Sequence, residues 1–296
     1  MNARTASTIR TALAAAVIMA PAMAAVPAAA AAPQAKPGKA VVLEYKMPAG
    51  RSLTYQYKQD RAQAMEVQGQ SMDSQVSNAC TATFRSKGPK DNNLVLGVTI
   101  DDIQITVANS MTGDMSPDMA GIKGRSFDMV LSPLGSEMDV SGAQAITYAA
   151  ATETSNIAYL FKAFFPDLPA KPVKIGDTWP SSDSVDMGSS SMGMRSDNQY
   201  VHTLEGFETV DGLECARISA QVTGTISGTG NQGGMDLTMS GTSKGKVVWY
   251  FAVKEGIFVK AVNDTTAEVS VDVSAAGMTI PVTETIKTEI KLAGKS

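Results

Sequence analysis

The sequence predicts a mainly β protein: a large curved antiparallel sheet, or half-open barrel, covered by one or two short helices. Three observations predict this fold class. Apolar and polar residues alternate along about ten segments, which is the period of strands with one buried face. Tight turns rich in Gly, Asn and Asp join most of these segments, as in antiparallel hairpins. A single mid-chain stretch instead carries apolar residues at helical spacing.

Residues 1–35 have the pattern of a signal peptide followed by an Ala/Pro-rich spacer. Arg4 and Arg10 form a positive start, an apolar run follows, and the Ala-rich residues after it offer A-x-A cleavage sites. Pro21 and Pro27 interrupt the apolar run, which favours a cleaved signal over a membrane span. We therefore expect a periplasmic or secreted protein with no transmembrane span in the mature chain.

The charge of the mature chain argues against two classes of partner. Removing residues 1–35 removes two arginines and no acidic residue, so the net charge falls from -4 to -6. Nucleic acids and anionic membrane surfaces call for a basic face. We therefore expect no nucleic-acid partner. The remaining residues suffice for a sizeable core without metal or disulfide.

Residues 40–292 are predicted to form a single β-rich domain in two halves, 40–140 and 177–292, joined by a helical segment over residues 141–169. In the first half, strand alternation covers residues 41–45, 53–57, 72–84, 94–100, 103–107 and 127–131. In the second half it covers residues 200–207, 216–222, 235–239, 247–253, 267–273 and 278–290. Residues 181–196 are predicted to be a Ser- and Gly-rich loop or a weak edge strand.

The alternation slips by one residue at Asp101-Asp102. A β-bulge there keeps the apolar residues before and after it on one face. Two adjacent carboxylates also fit a metal site, but no third ligand lies nearby in the sequence. The sequence favours the bulge.

The joining segment carries the strongest helical pattern. Ile157, Leu160, Phe161 and Phe164 fall on one stripe of an α-helix running from residue 154 to Pro166, which would end it. A shorter helix is predicted over residues 143–151. These helices are the expected cover of the concave face of the sheet.

A cavity for an apolar ligand is predicted between the sheet and this cover. The alternative is that the helix packs flush and the same residues are ordinary core. The candidate lining residues are Tyr55, Tyr57, Phe84, Trp249 and Phe251 from the sheet, with Ile157, Leu160, Phe161 and Phe164 from the helix.

Two cysteines follow the signal peptide, and their state stays open at this point. An oxidising compartment allows Cys80 and Cys215 to pair. Cys80 lies on the apolar face of its strand, whereas Cys215 lies in phase with polar residues. The alternative is two free or buried thiols.

No residue pattern predicts catalysis, and no cofactor or metal site is expected. His202 is the only histidine, which argues against a nucleophilic triad and against a multi-histidine metal site. Its phase with Tyr200 and Leu204 favours a structural role. The Gly-rich residues 224–230 lack the Lys-Ser/Thr ending of a phosphate loop, and a flexible β-turn loop is predicted instead.

Methionine is unusually abundant, at 17 residues. Thioethers bind Cu(I), and exported copper proteins use Met-rich loops. Flexible apolar packing, or the lining of a cavity, is the favoured interpretation. The groups are Met111, Met115 and Met119; Met187, Met192 and Met194; and Met235 and Met239.

The turn Gly176-Asp177-Thr178-Trp179 is the most specific motif. Gly supplies an unusual backbone angle, and Asp177 can hydrogen-bond within its own turn. With the preceding helix and the following strand, this pattern resembles uncharacterised secreted bacterial proteins with a domain of unknown function. The overall layout resembles the Lol-type lipoprotein carriers and mycobacterial lipid carriers. That resemblance implies an incomplete barrel that binds an acyl chain or another apolar ligand, and it supplies no catalytic residues.

The sequence thus predicts an exported, non-catalytic protein that binds a lipid or other apolar ligand between a curved sheet and a helical cover. Two alternatives remain. One is a structural or protein-interaction module of the cell envelope that binds a partner protein and no small ligand. The other is Met-rich copper binding.

Overall fold

A computed structural model describes the chain over residues 40–67, 69–110, 113–114, 116–150, 153–232 and 234–296. The predicted signal peptide and spacer, residues 1–35, lie outside the described residues, as do Met111 and Met115. The predicted periplasmic or secreted location depends on residues 1–35 and therefore stays a prediction.

Long strands dominate the described part of the chain. The first strands are β1 (Ser52–Val67), β2 (Gln70–Lys90), β3 (Asn93–Asn109), β4 (Gly113–Asp114), β5 (Ser126–Leu131) and β6 (Glu137–Asp139). Two short strands follow in mid-chain, β7 (Thr147–Ala150) and β8 (Glu153–Asn156). The last strands are β9 (Thr178–Gly188), β10 (Met192–Val210), β11 (Leu213–Gln232), β12 (Met235–Ala252), β13 (Ile257–Val273) and β14 (Met278–Lys295). The short helical turns are α1 (Ser141–Gln144) and the 3₁₀ turns η1 (Ala158–Leu160) and η2 (Ser274–Ala276).

One large antiparallel sheet contains all the long strands. Its strand order is β6-β5-β3-β2-β1-β14-β13-β12-β11-β10-β9, and β4 pairs with the end of β3. The two halves of the chain meet where β1 pairs with β14, from Leu53 opposite Lys295 to Met65 opposite Val282. The sheet curls into a half-open barrel, so the predicted fold class is confirmed.

Alternating burial places the apolar side chains on the concave face. In β13, for example, every second residue from Val259 to Val273 is buried, and most of the residues between them are half-buried or exposed. The predicted bulge in β3 is confirmed. Thr81 pairs with Asp102 and Ala82 with Ile100, so Asp101 is the extra residue. The bulge keeps the apolar residues on both sides of it facing inward.

The predicted α-helix from residue 154 to Pro166 is wrong. The chain is still in β8 at Asn156, makes the single turn η1, and then turns back at Ala163, whose φ is 60°. The reason is a competing acceptor: the Glu137 carboxylate takes the backbone N–H groups of Ala163 and Phe165. An α-helix needs those N–H groups for its own i to i-4 bonds.

Two further predictions from local pattern are wrong. The expected helix over residues 143–151 is reduced to α1, and β7 and β8 form a separate hairpin instead. The expected Gly-rich loop over residues 224–230 is the second half of β11. Its glycines at 224, 228 and 230 face inward, where atoms of the adjacent strands occupy the place of a side chain. The glycines therefore allow these strands to approach closely.

The interior contains two apolar clusters separated by buried polar residues. The plug, which we define as residues 157–169, packs in the larger cluster with Tyr55, Phe84 and Trp249. A second cluster, rich in methionine, fills the other end of the half-barrel. Between them lies what we call the polar belt, formed by Gln59, Arg61, Gln63, Asn78, Asn263, Thr265, Glu284 and Thr288.

An ion pair lies at the centre of the polar belt. The Arg61 guanidinium is 2.6 Å from the Glu284 carboxylate, and both side chains are 1% exposed. Gln63 Nε2 donates to the same carboxylate over 3.2 Å. Burial raises the pKa of Glu284 to about 7 although Arg61 opposes the shift. The pair thus specifies the pairing of β1 with β14 at a desolvation cost.

We expect Glu284→Gln to lower the free energy of unfolding by about 3–5 kcal/mol, since it leaves the Arg61 charge buried without its counter-ion. The double variant Arg61→Met/Glu284→Leu should recover most of that loss. Urea denaturation of the three proteins measures both effects. A double variant that is no more stable than Glu284→Gln would contradict a coupled ion pair.

Gly245 in β12 should not tolerate a side chain. A Cβ there would overlap the Thr265 hydroxyl and lie 2.6 Å from the Asp264 carbonyl oxygen. We expect Gly245→Ala to lower the free energy of unfolding by about 1–3 kcal/mol. Gly206→Ala is the matched control, because nothing lies within 4 Å of its Cβ position. Equal urea midpoints for the two variants would show that close inter-strand approach at Gly245 does not matter.

Candidate functional site

Aromatic rings hold the plug against the concave face. Phe164 lies with its ring centroid 5.6 Å from that of Tyr55 and 5.1 Å from that of Phe84. Phe165 lies 5.2 Å from Phe84 and 5.6 Å from Tyr45, both edge to face. Each such pair contributes about 0.5–1.5 kcal/mol beyond the buried area. The plug is therefore a packed part of the core and also the cover of the sheet.

Glu137, the first residue of β6, binds the backbone of the plug through hydrogen bonds. Its carboxylate accepts the backbone N–H of Phe165 over 2.8 Å and that of Ala163 over 3.1 Å. The Lys162 ammonium donates to the Glu137 carbonyl oxygen over 3.1 Å. Burial raises the pKa of Glu137 to about 8, and the nearby carboxylates of Asp167 and Asp183 act in the same direction. Burial and like charge therefore outweigh the two N–H donors.

A cavity of about 110 Å³ lies between the plug and the sheet. At about 30 Å³ per molecule, it has room for roughly three or four water molecules. One part of its wall is apolar and includes Leu160, Phe164, Trp249 and Ile290. The rest is polar or acidic and includes the side chains of Glu137, Asp167, Asp183, Asn198, His202 and Asn263. The space is amphipathic and not uniformly apolar.

The predicted ligand-binding residues divide into two groups. Tyr57, Leu160, Phe164 and Trp249 line the cavity. Tyr55, Phe84, Ile157, Phe161 and Phe251 are buried in the apolar core around it. Whether any of them contacts a ligand stays a prediction.

His202 stands at the centre of an aromatic stack on β9, β10 and β12. Its ring stacks on those of Trp179 and Tyr200, with centroid distances of 5.3 Å and 5.7 Å, and contacts the Trp249 ring edge to face. Nε2 lies 2.8 Å from Ser181 Oγ, and Nδ1 has no hydrogen-bond partner among the described residues. Burial lowers the pKa of His202 to about 4. The imidazole is therefore neutral at pH 7.

The pairing of Ser181 with His202 does not make a nucleophilic triad. In a triad a carboxylate orients the histidine through Nδ1. Here the nearby carboxylate, that of Asp167, hydrogen-bonds Ser181 and not the histidine. The arrangement fixes the ring in place and gives no basis for acyl transfer.

Sequence reasoning missed the acidic residues of the cavity. Asp183 Oδ2 accepts from Tyr200 Oη over 2.7 Å, and Oδ1 accepts from Asn198 Nδ2 over 2.8 Å. Burial raises the pKa of both Asp167 and Asp183. One signal was present for Asp183: it lies in phase with the inward-facing Val185 of β9. Glu137 and Asp167 have no such signal, because they lie at strand ends and in the plug.

The Gly176–Trp179 turn leads from the plug into β9. Gly176 has a φ of 91°, and the Asp177 carboxylate accepts the backbone N–H of Lys174 over 2.8 Å. Trp179 Nε1 donates to the Asp167 carbonyl oxygen over 3.1 Å. The turn thereby positions Asp167 at the cavity.

The cysteines are both free and buried. Cys80 in β2 and Cys215 in β11 are five strand-to-strand steps apart along the sheet, at about 4.8 Å each. A disulfide needs Cα atoms within about 7 Å. Burial raises the pKa of the Cys80 thiol to about 12 and that of Cys215 to about 11. Both therefore remain protonated, which is the second of the two alternatives.

Methionines that are distant in the sequence come together in the second apolar cluster, which the plug contacts through Tyr159 and Ala163. Met187 pairs with Met194 across β9 and β10, and Met65 with Met72 across β1 and β2. Met235 and Met239 are buried in the same cluster. Packing accounts for their burial, and copper binding stays a prediction.

No metal or membrane helix is indicated within the described ranges. No group of three or more His, Cys, Asp or Glu side chains there is arranged to hold a metal ion. In that same part of the chain, no helix combines the length and apolar character needed to cross a membrane.

Comparison with known proteins leaves the chain without a family. No protein-family model matches it, and no curated protein matches it. A Bacteroides fragilis protein with a YmcC-like fold is similar over 86% of this chain and 99% of its own, at 10% identity and a TM-score of 0.28. A DUF1329 family protein of Desulfovibrio piger is similar over 80% of this chain and 85% of its own, at 10% identity and a TM-score of 0.14. TM-scores this low carry no inference about function.

Glu137 should make stability fall as the pH rises. Its pKa is about 8 in the folded protein, above the ordinary value of 4.5, so the folded state binds more protons between these values. The free energy of unfolding should therefore decline from pH 5 to pH 8, by at most about 1.4 kcal/mol per pH unit from this group. Urea denaturation of the wild type and of Glu137→Gln, compared at each pH, isolates the contribution. Parallel pH profiles would contradict a protonated Glu137 under the plug.

Proposed function

We propose that this protein is an exported, non-catalytic binding protein that holds an apolar or amphiphilic ligand between the plug and the concave face of the sheet. The observation that carries the proposal is the cavity of about 110 Å³ at that place. Interiors are normally close-packed, so a space of this size under a central cover is a candidate site.

The size of the cavity limits what fits without movement. Ligand sites for drug-sized molecules are about 300–1,000 Å³. An apolar cavity of about 150 Å³ binds one benzene, so this space accepts about four or five non-hydrogen atoms, or one end of a longer molecule. A full acyl chain requires the plug to move outward. Aromatic contacts and the Glu137 carboxylate hold the plug in place. Its described helical structure is a single turn of 3₁₀ helix.

The apolar wall supports binding of a hydrocarbon group. Leu160 and Phe164 face the cavity from the plug, and Trp249, Ala261 and Ile290 face it from the sheet. Burying a CH₂ group between such surfaces contributes about 0.8 kcal/mol. An octyl chain therefore has enough apolar area for millimolar or tighter affinity.

A structural or protein-interaction role in the envelope is the alternative function. The outer strand β9 has β10 on one side and, within the described part of the chain, no strand on the other. An exposed edge can pair with a partner strand. A protein-interaction role needs no ligand in the cavity, so the ligand-binding experiment described next distinguishes the two functions.

We expect 1-octanol to bind with 1:1 stoichiometry and to change tryptophan fluorescence, since Trp249 lines the cavity. Ala261→Leu should weaken binding at least tenfold by filling the space. Ala62→Leu, on the outer face of β1, is the matched control and should leave the affinity unchanged. Calorimetric titration with a fluorescence readout measures both variants.

Absence of saturable 1-octanol binding in the wild type would count against a ligand cavity and favour the interaction module. Equal affinities of the two leucine variants would place any bound alcohol elsewhere on the protein. A thermal melt of each variant checks that it is folded.

A further inference from the structure

The polar side of the cavity is acidic. Among the described residues, three carboxyl groups line it: Glu137 from β6, Asp167 from the plug and Asp183 from β9. Lys162 is the one cationic side chain in that described lining, and its ammonium already donates to the Glu137 carbonyl oxygen. The acidic corner, as we call these three carboxyl groups, therefore contains three acidic groups against one cation.

Two side chains of the cavity lining have an acceptor without a partner, and the Tyr159 hydroxyl, which can donate or accept, also lacks one among the described residues. Ser181 has one hydroxyl proton, which it gives to the Asp167 carboxylate, so it accepts from Nε2–H of His202. The Nδ1 atom of His202 then carries a lone pair, and it has no partner among the described residues. Asn263 Oδ1 also lacks one. Both residues line the cavity and are more than nine-tenths buried.

Buried acceptors without donors are energetically costly. A ligand that supplies several N–H donors and a positive charge removes this cost and neutralises the acidic corner. A primary ammonium group has three donors and no acceptor. A metal ion fits less well, because no group of three or more His, Cys, Asp or Glu side chains among the described residues is arranged to hold one.

We propose that the ligand is a small amphiphilic amine, with its ammonium head at the acidic corner and its apolar tail against Leu160, Phe164 and Trp249. This inference rests on the proposed function and names the chemical class of its ligand. The cavity has room for about four or five non-hydrogen atoms, so it accepts the ammonium head and the first carbons of the tail, and a longer tail requires the plug to move outward.

The protonation of the acidic corner supports the same ligand. Burial raises the pKa of all three carboxyl groups. Neighbouring carboxylates add to the shifts of Glu137 and Asp183, whereas hydrogen bonds from Ser181 and Ser136 and the charge of Lys162 oppose the shift of Asp167. A bound cation favours the ionised carboxylates and lowers these pKa values. Binding of an amine near pH 7 should therefore release protons from the protein.

Three probes that share an eight-carbon alkyl chain and differ in head group test this inference: octylammonium, 1-octanol and octanoate. Calorimetric titration at pH 7 should rank them in that order, with octylammonium about tenfold tighter than 1-octanol and octanoate weakest. Titrations in buffers of different ionisation enthalpy should detect proton release with octylammonium alone.

Two variants locate the head. Asp183→Asn and Asp167→Asn should each weaken octylammonium about tenfold and change 1-octanol by less than twofold. Asp186→Asn is the matched control, because Asp186 lies on the same strand with its side chain exposed and paired with Arg195. It should leave all three affinities unchanged.

The outcomes separate this inference from the proposed function. Equal affinities for the three probes, or preference for octanoate, would overturn the amine and leave a ligand cavity standing. An amine preference that Asp186→Asn abolishes and the other two variants do not would place the amine on the outer surface and overturn the inference. No saturable binding of any probe would overturn both proposals.

Discussion

Covering the concave face of the curled sheet is the constraint on which the rest of the structure depends. A sheet with one apolar face cannot leave that face in water. Here the plug does the covering with Phe161, Phe164 and Phe165, packed against aromatic side chains of the long strands. Because a segment with so little helix makes few hydrogen bonds of its own, it needs an outside acceptor. Glu137 supplies one, at the cost of a buried carboxyl group.

That solution leaves a cavity with two kinds of wall. The plug brings apolar rings and the carboxyl group of Asp167, while β9 and β10 bring Asp183 and His202. The same interior contains the polar belt, where Arg61 and Glu284 join the first and last long strands. Polar groups in a barrel interior reduce stability unless they are paired. Those around the cavity are incompletely paired, which is the physical ground for expecting an occupant.

The period-two pattern of single strands was sufficient to predict the sheet, its apolar concave face and the bulge at Asp101. The plug was misassigned because Ile157, Leu160, Phe161 and Phe164 satisfy a helical spacing, while the deciding hydrogen bonds come from Glu137, 26 and 28 residues away in the chain. Tertiary contacts of that kind produce no periodic pattern in the sequence. Residues 224–230 were misassigned because glycine signals a turn locally, whereas here it allows close approach between strands. The acidic corner could not be predicted, since its members come from three separate elements.

The contact between the plug and the sheet can be measured directly in solution by nuclear Overhauser effects between the rings of selectively labelled Phe and Tyr. The ring centroids of Tyr55 and Phe164 are 5.6 Å apart in an edge-to-face arrangement. A strong cross-peak between these two rings, lost in Phe164→Leu, is the predicted result. Absence of the cross-peak in a protein that is otherwise folded would show that the plug does not cover the concave face, and the cavity would not exist.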